Sequence, residues 1–211
     1  MILGVSMLTV GVLEGGLLYL LAWLGVNFCA LSVGHIVGSA AVLGKNRTGA
    51  IELWSWIVFL PLHLYTMGVW HVYRMLSTES PFNQVTDDLI IGRRLLADEV
   101  GFSVESYIDL TAEFPEPPLL RRSPTYVSYP ILDGSIPKRS ELNIMFSALK
   151  GKSLFIHCAQ GHGRTGLVAA AYMIFSEKVS NSDEAISVLQ NVRPGIRLSG
   201  EQKTFLKDYE K

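Results

Sequence analysis

The amino-acid pattern indicates an α/β domain that follows an N-terminal transmembrane helical hairpin. The chain of 211 residues is 49% hydrophobic, yet up to Leu43 its single charged side chain is Glu14. Beyond Ser77, charged residues occur at the density of a soluble domain, and short apolar strands alternate with helical patterns. Such alternation is typical of a central sheet with helices packed on its faces.

Residues 1–44 are predicted to form the transmembrane hairpin. Apolar stretches run from Met1 to about Leu24 and from Phe28 to Leu43, and residues 25–27 are expected to form the turn between them. About 20 apolar residues cross the hydrocarbon core of a bilayer as a helix, so the second stretch is slightly short. No Lys or Arg precedes the first stretch, which favours an anchor over a cleaved signal peptide.

Residues 45–81 are predicted to hold a basic loop and a membrane-associated helix. Lys45 and Arg47 lie in the loop, and an apolar segment that contains Pro61 follows from Ile51 to Tyr73. This segment is either a third span or a kinked helix in the membrane interface. Three spans would place the basic loop on the side opposite the following domain, against the positive-inside rule. We therefore favour the interfacial helix.

Residues 82–211 carry the alternating pattern of the α/β domain, with short apolar strands and longer amphipathic segments. The predicted strands are Leu89–Gly92, Tyr107–Leu110, Thr125–Ile131 and Ser153–His157. The predicted helices are Ser140–Leu149, Thr165–Lys178 and Ser182–Val192.

The segment from His157 to Gly166 carries the strongest chemical signal. It reads His-Cys-Ala-Gln-Gly-His-Gly-Arg-Thr-Gly and joins a predicted strand to a predicted helix. Its glycines allow a tight loop whose backbone N–H groups point inward, and such a loop at a helix N-terminus binds anions. Cys158 and Arg164 are six residues apart, so a curled loop places both on one anion, where arginine matches two phosphate oxygens.

The same surroundings would activate the cysteine, because a helix N-terminus and nearby cations favour the thiolate form. Attack of a thiolate on phosphorus gives a covalent phosphocysteine, which divides one difficult step into two easier ones. A Gly-rich turn that merely contains a buried cysteine is the alternative, and the combination of strand, loop and helix favours catalysis.

Cys158, five further residues, Arg164 and Thr165 resemble the signature loop of the cysteine-dependent protein tyrosine and dual-specificity phosphatases. The resemblance extends over about Phe82 to Lys211 and includes the flanking His157. The segment 83–92 looks like the opening strand of a dual-specificity domain, and 108–113 looks like a core strand and its exit. The resemblance implies catalysis with no metal and no organic cofactor.

The resemblance also implies a role for each residue of the loop. Cys158 would be the nucleophile and Arg164 the phosphate clamp, while the hydroxyl of Thr165 would bond the thiolate and assist its departure. His157 would orient the loop and tune the thiol. The phosphate-binding positions would be Ala159, Gln160, Gly161, His162, Gly163 and Arg164.

Dephosphorylation also needs a general acid for the leaving oxygen, and the resemblance implies an aspartate on a mobile loop upstream of the cysteine. Asp133 precedes Cys158 by 25 residues and follows a predicted strand in a Gly-containing turn, so it is the favoured candidate. Asp109 is the alternative, but its position within a strand favours a role in ordering the local backbone.

These patterns predict a membrane-anchored phosphatase that hydrolyses phosphate monoesters of a phosphoprotein or a phospholipid. The bilayer is an expected partner, whereas a formal net charge of -1 gives no basis for nucleic-acid binding. His162 makes the loop less cationic than lysines would, which argues against multiply phosphorylated inositol lipids. The alternatives are a phosphate-binding membrane adaptor that has lost turnover and a membrane scaffold.

The two cysteines bear on the compartment. Cys29 lies in an apolar run and Cys158 in a polar loop, so we expect two free thiols, which suits a reducing compartment. A catalytic cysteine has to stay reduced. We therefore expect an integral membrane protein whose catalytic domain faces the cytosol.

Overall fold

A computed structural model describes residues 1–122 and 125–210, so residues 123, 124 and 211 of the predicted domain lie outside the described part. The chain divides into two compact units. The N-terminal unit comprises residues 1–46, 50–77 and 112–115. The second unit comprises residues 47–49 and 78–111 and the chain from Glu116 onward. The expected boundaries after residues 44 and 81 stay predictions.

The N-terminal unit begins with two antiparallel helices, α1 (Ile2–Glu14) and α2 (Tyr19–Val37). Small residues let their backbones approach closely: a Cβ atom at Gly11 would overlap Ala22, and one at Gly4 would overlap Cys29. This small-residue packing is typical of helix pairs within membranes.

The predicted turn at residues 25–27 is wrong, because α2 runs straight through it. The chain instead reverses at Gly15 and Gly16, which have φ angles of 70° and 59° and begin a 3-10 turn over Gly16–Leu18. Glycine adopts such left-handed angles without steric cost. Asn27, which resembled a turn residue, is buried in α2 and donates to the carbonyl of Val58.

The two helices of the hairpin differ in length. Gly16–Val37, with 22 residues, is the one helix in the described part of the chain that is long and apolar enough to cross a membrane. The 13 residues of α1 extend over about 20 Å at ~1.5 Å per residue, short of the ~30 Å hydrocarbon core. The helix that could span a bilayer by length and composition therefore contains α2, and the shorter α1 packs beside it.

The segment expected to be a kinked helix forms two helices, α3 (Leu53–Val58) and α4 (Leu60–Leu76), after a short 3-10 turn over Ala40–Leu43. The break falls at Phe59, where Pro61 occupies the first turn of α4. The apolar side chains that α4 leaves exposed are Leu64, Tyr65, Val69, Val72, Met75 and Leu76.

The second unit contains a five-stranded mixed sheet in the order β1-β2-β5-β3-β4. β1 pairs antiparallel with β2, and the other neighbours are parallel. The strands are β1 (Phe82–Thr86), β2 (Leu89–Arg93), β3 (Ser106–Asp109), β4 (Tyr126–Ser128) and β5 (Leu154–Cys158). Because parallel strands end at the same edge, the last residues of β2, β3 and β5 lie together, with Arg93 beside Cys158 and Asp109 beside His157.

Helices pack on this sheet around a buried apolar core that includes Phe146, Ile156 and Leu167. They are α5 (Pro118–Arg121), α6 (Arg139–Ala148), α7 (Gly163–Phe175), α8 (Ser182–Val192) and α9 (Gly200–Tyr209). This arrangement confirms the predicted α/β class of a sheet flanked by helices. β4 is shorter than predicted, and the segment 83–92, which resembled one opening strand, forms most of β1 and β2. α5 and α9 had no counterpart among the predicted elements.

Candidate active site

The loop that the sequence singled out connects β5 to α7. β5 ends at Cys158 and α7 begins at Gly163, so the cysteine faces the N-terminus of a helix. Its side chain is buried, and the backbone N–H of Gly161 donates to Sγ over 3.3 Å. A helix N-terminus and an inward N–H group both stabilise negative charge at this position.

Gly161 is required by both space and backbone angle. Its φ is 78°, and a Cβ atom there would lie 2.5 Å from the carbonyl carbon of Gly92. The loop therefore packs directly on the end of β2, and no larger residue fits without moving a strand.

Arg193 supports the loop from behind. It lies at the end of α8, and its buried guanidinium donates through Nε to Gly161 O over 3.0 Å and through Nη2 to Gln160 O over 3.0 Å. Nη1 donates to Ser80 O and to Asn83 Oδ1. With these carbonyls turned towards Arg193, the N–H groups of the loop are free to turn towards Cys158.

The structure brings two predicted site residues together at Arg164. This buried side chain donates through Nη1 to Ile131 O over 3.0 Å, and its Nε lies 3.2 Å from Asp133 Oδ1. The Asp133 side chain is 83% exposed. Nε is one of the donors that an arginine offers to a phosphate, and here it forms an ion pair with the carboxylate of Asp133.

Thr165 differs from expectation. Its buried hydroxyl donates to Gly92 O over 3.4 Å, rather than forming the expected bond to the thiolate. The first turn of α7 lies against the end of β2, which puts a backbone acceptor next to the hydroxyl.

His157 is buried in a polar cluster beneath the loop. Its Nε2 lies 3.8 Å from Glu116 Oε1 and 4.0 Å from Asp109 Oδ1, and its ring stacks on Phe155 with centroids 5.2 Å apart. Asp109 Oδ1 also accepts from the backbone N–H of Thr111 over 2.9 Å. This contact is the local backbone role that its place in a strand favoured.

The cluster contains atoms that could bind a metal ion. Ligand atoms of Asp109, Glu116 and His157 all lie within 4.8 Å of one another. The hydroxyl of Tyr126 donates to Asp109 over 2.6 Å, and Arg94 forms an ion pair with Glu116, with Nε and Oε2 3.8 Å apart. Burial, followed by the charge of Asp109, raises the pKa of Tyr126, so the phenol stays a donor. The negative charges of Asp109 and Glu116 are therefore offset by Tyr126 and Arg94 within the protein, rather than pointing to a metal ion.

The sequence interpretation missed two acidic residues near the loop. Glu116 lies beneath it, and Glu79 contacts His162, with Oε2 and Nε2 2.6 Å apart. Neither residue belongs to a motif or a periodic pattern. The proline on each side of Glu116 is the one local sign that its backbone is constrained.

The close contact of the loop with β2 leads to a testable difference between two glycines. Gly161→Ala should destabilise the second unit and abolish phosphate binding, because the left-handed angle costs about 1–2 kcal/mol and the clash with Gly92 adds to it. Gly151→Ala is the matched control, since its φ is 79° but nothing lies within 4 Å of its Cβ position.

Both variants are compared by chemical denaturation, with hydrogen exchange of β5 amides as the probe, and by calorimetric titration with inorganic phosphate. If Gly161→Ala and Gly151→Ala lose the same stability and phosphate affinity, the clash with Gly92 contributes nothing and the backbone angle is the sole cause.

Known proteins resemble this chain over the same region. The sequence profile of the family described as dual specificity phosphatase, catalytic domain, matches residues 138–211, which include the loop. "Putative tyrosine phosphatase 197R" of Invertebrate iridescent virus 6 is 29% identical over 97 residues, or 40% of this chain and 36% of that protein. "Putative tyrosine phosphatase 067L" of Invertebrate iridescent virus 3 is 32% identical over 85 residues, or 35% of each chain.

The chain thus spans about a third of the length of these viral relatives. Among solved structures, that of Tk-PTP in the active form is similar with a TM-score of 0.54 and 26% identity, over 62% of this chain and 96% of that one. The sheet and helices have a dual-specificity-phosphatase-like fold. Taken together, the profile, the viral relatives and the fold support the phosphatase family for the domain that carries the loop.

Proposed function

We propose that this chain is a membrane-anchored phosphatase that hydrolyses phosphate monoesters through a phosphocysteine at Cys158. One observation carries the proposal: a buried thiol accepts a loop N–H at the start of α7, six residues before a buried arginine. The proposed substrate is a phosphate monoester of a protein or a lipid.

In the first step, the thiolate of Cys158 attacks phosphorus. The S–P bond forms as the P–O bond to the leaving group breaks, and a protonated Asp133 gives its proton to the leaving oxygen. Loop N–H groups and the guanidinium of Arg164 stabilise the charge on the transferring phosphoryl group.

In the second step, water attacks the phosphocysteine. Asp133, now a carboxylate, takes a proton from the water as the P–O bond forms and the S–P bond breaks. Inorganic phosphate leaves, and the thiolate and protonated Asp133 are restored. The ring of His157, held by Phe155 and the carboxylates below it, positions the residue next to the nucleophile. Thr165 would have to turn from Gly92 to Cys158 to assist this step.

The contact between Asp133 and Arg164 connects binding to the first step. Nε of Arg164 can bond either the Asp133 carboxylate or a phosphate oxygen, and the carboxylate is present before substrate arrives. A phosphate dianion would displace Asp133 from Nε. This exposed side chain would then take up a proton from solvent and approach the leaving oxygen as the acid.

The membrane anchor in this proposal is α2, with α1 beside it. The exposed apolar face of α4 would lie in the interface, and the loop with Lys45 and Arg47 would share the cytosolic side with the phosphatase domain, as the positive-inside rule favours. An anchor raises the local concentration of membrane-bound substrates near the loop.

The nucleophile is tested with a small aryl phosphate and the full chain in detergent with reductant. Cys158→Ser should lower turnover by at least roughly a thousandfold, because a serine hydroxyl is not ionised and is a poor nucleophile at neutral pH. Cys29→Ser, a change of the other free thiol, should leave the rate unchanged. If a folded, reduced parent binds phosphate without turnover, the phosphate-binding adaptor is the correct function.

The general acid is tested in the same assay. Asp133→Asn should lower kcat by about a hundredfold to ten-thousandfold, as expected for loss of a positioned acid and base. Asp87→Asn changes another exposed aspartate of the same domain and should keep the parental rate; an unchanged rate in Asp133→Asn would contradict the assignment.

The anchor is tested by alkaline carbonate extraction of membranes that contain the full chain. A triple change of exposed α2 residues, Leu20→Asp, Val26→Asp and Val33→Asp, should release the protein, since each charge in the bilayer core costs about 2.5–3.5 kcal/mol. The matched change of the α4 face, Leu64→Asp, Val69→Asp and Val72→Asp, should leave it in the pellet. Release of the unchanged parent would contradict the span.

A further inference from the structure

An acidic side chain that the proposed reaction does not use lies at the rim of the loop. Glu79 belongs to the segment between α4 and β1. Its Oε2 lies 2.6 Å from Nε2 of His162 and 3.2 Å from Nη2 of Arg193. The side chains of Glu79 and His162 are 29% and 19% exposed, whereas that of Arg193 is 2% exposed, so the pair lies where a bound molecule can reach it.

Backbone packing makes room for this contact. Gly195 follows Arg193 closely in the chain, and a Cβ atom at Gly195 would overlap both the His162 ring and the Glu79 carboxylate. The glycine therefore leaves the space in which the ring and the carboxylate meet. The position of Glu79 is thus determined by three separate chain segments rather than by its own flexible side chain.

The charges around the loop divide into two sets. Arg164 serves the transferring phosphoryl group, with Asp133 on its Nε. Two further side chains that can carry a positive charge contact the loop or lie on it: Arg193, which holds the loop carbonyls, and His162. Both contact Glu79. A second anionic group beside the scissile phosphate would therefore approach His162 and the Glu79 carboxylate together, with the buried Arg193 behind them.

We propose that Glu79 is a specificity-determining residue that selects against substrates with a second phosphate or other anionic group beside the scissile phosphate. This inference rests on the proposed function and deepens it. The favoured substrate is a single phosphate monoester whose neighbouring groups are neutral or basic. Glu79 acts through its charge, which weakens the positive potential that His162 and Arg193 would offer at the rim.

The inference is tested by binding, which does not require turnover. Inorganic phosphate and pyrophosphate are titrated calorimetrically, at low salt, into the full chain carrying Cys158→Ser, with and without Glu79→Gln. Glutamine keeps the acceptor oxygen and removes the charge. We expect Glu79→Gln to tighten pyrophosphate binding by about tenfold and phosphate binding by about twofold or less, so the ratio of the two dissociation constants changes.

Two controls separate local charge from net charge and from structure. Glu105→Gln makes the same charge change on an exposed residue just before β3, at the opposite edge of the sheet, and should leave the ratio unchanged. Glu79→Asp keeps the charge, so its ratio of pyrophosphate to phosphate dissociation constants should equal that of the protein with Glu79. Adding His162→Gln to Glu79→Gln should reduce the gain, because one of the released cations is then missing.

An unchanged ratio in a folded Glu79→Gln protein would overturn the inference, and so would a Glu79→Asp protein that behaves like Glu79→Gln. If Glu79→Gln does not fold, the Cys158→Ser protein that retains Glu79 provides the test. Pyrophosphate binding that is tenfold tighter than phosphate binding in this protein would overturn the inference. If the parent protein, with Cys158 intact, binds phosphate but does not turn over the aryl phosphate, the proposed reaction is overturned. The ratio of the phosphate and pyrophosphate dissociation constants can still be measured in that case.

Discussion

The buried guanidinium of Arg193 is the interaction on which the rest of the site depends. A buried charge is costly unless its donors are satisfied, and this one is served by carbonyls of the loop, by Ser80 and by Asn83. These bonds determine which way the peptide groups of the loop face. Since carbonyls turn outward to Arg193, N–H groups can turn inward, and one of them reaches Sγ of Cys158.

The sheet supplies the second constraint. β2 and β5 run parallel and end side by side, so the loop that leaves β5 meets the end of β2 at once. A glycine at position 161 is the consequence, because the backbone of Gly92 occupies the space of a side chain. The same edge brings the end of β3 beside His157. The buried carboxylates of Asp109 and Glu116 therefore lie beneath the nucleophile, where Tyr126 and Arg94 balance them.

Anchoring and selectivity bear on each other in the proposed function. A site tethered to a membrane meets anionic headgroups at high local concentration. Positive potential alone would favour every one of these groups. A carboxylate held between His162 and Arg193 reduces that general attraction, while Arg164 and the loop N–H groups retain theirs for one phosphate. Such a division of charge would let the site remain selective for one phosphate.

The sequence by itself determined the features that depend on neighbouring residues. The strand, loop and helix around Cys158 follow from local spacing, as do the bounds of α8. The turn at Asp133 and its distance along the chain singled out a residue that lies beside Arg164. Helix boundaries in the hairpin failed, because almost every residue there is apolar and the left-handed angles of Gly15 and Gly16 carry no signal beyond glycine itself. Only the tertiary structure decided that Glu79 meets His162, 83 residues away, that Glu116 lies beneath His157 and that Thr165 bonds Gly92. Those contacts depend on how strands and helices pack, and packing brings together residues whose separation in the chain leaves no pattern to recognise.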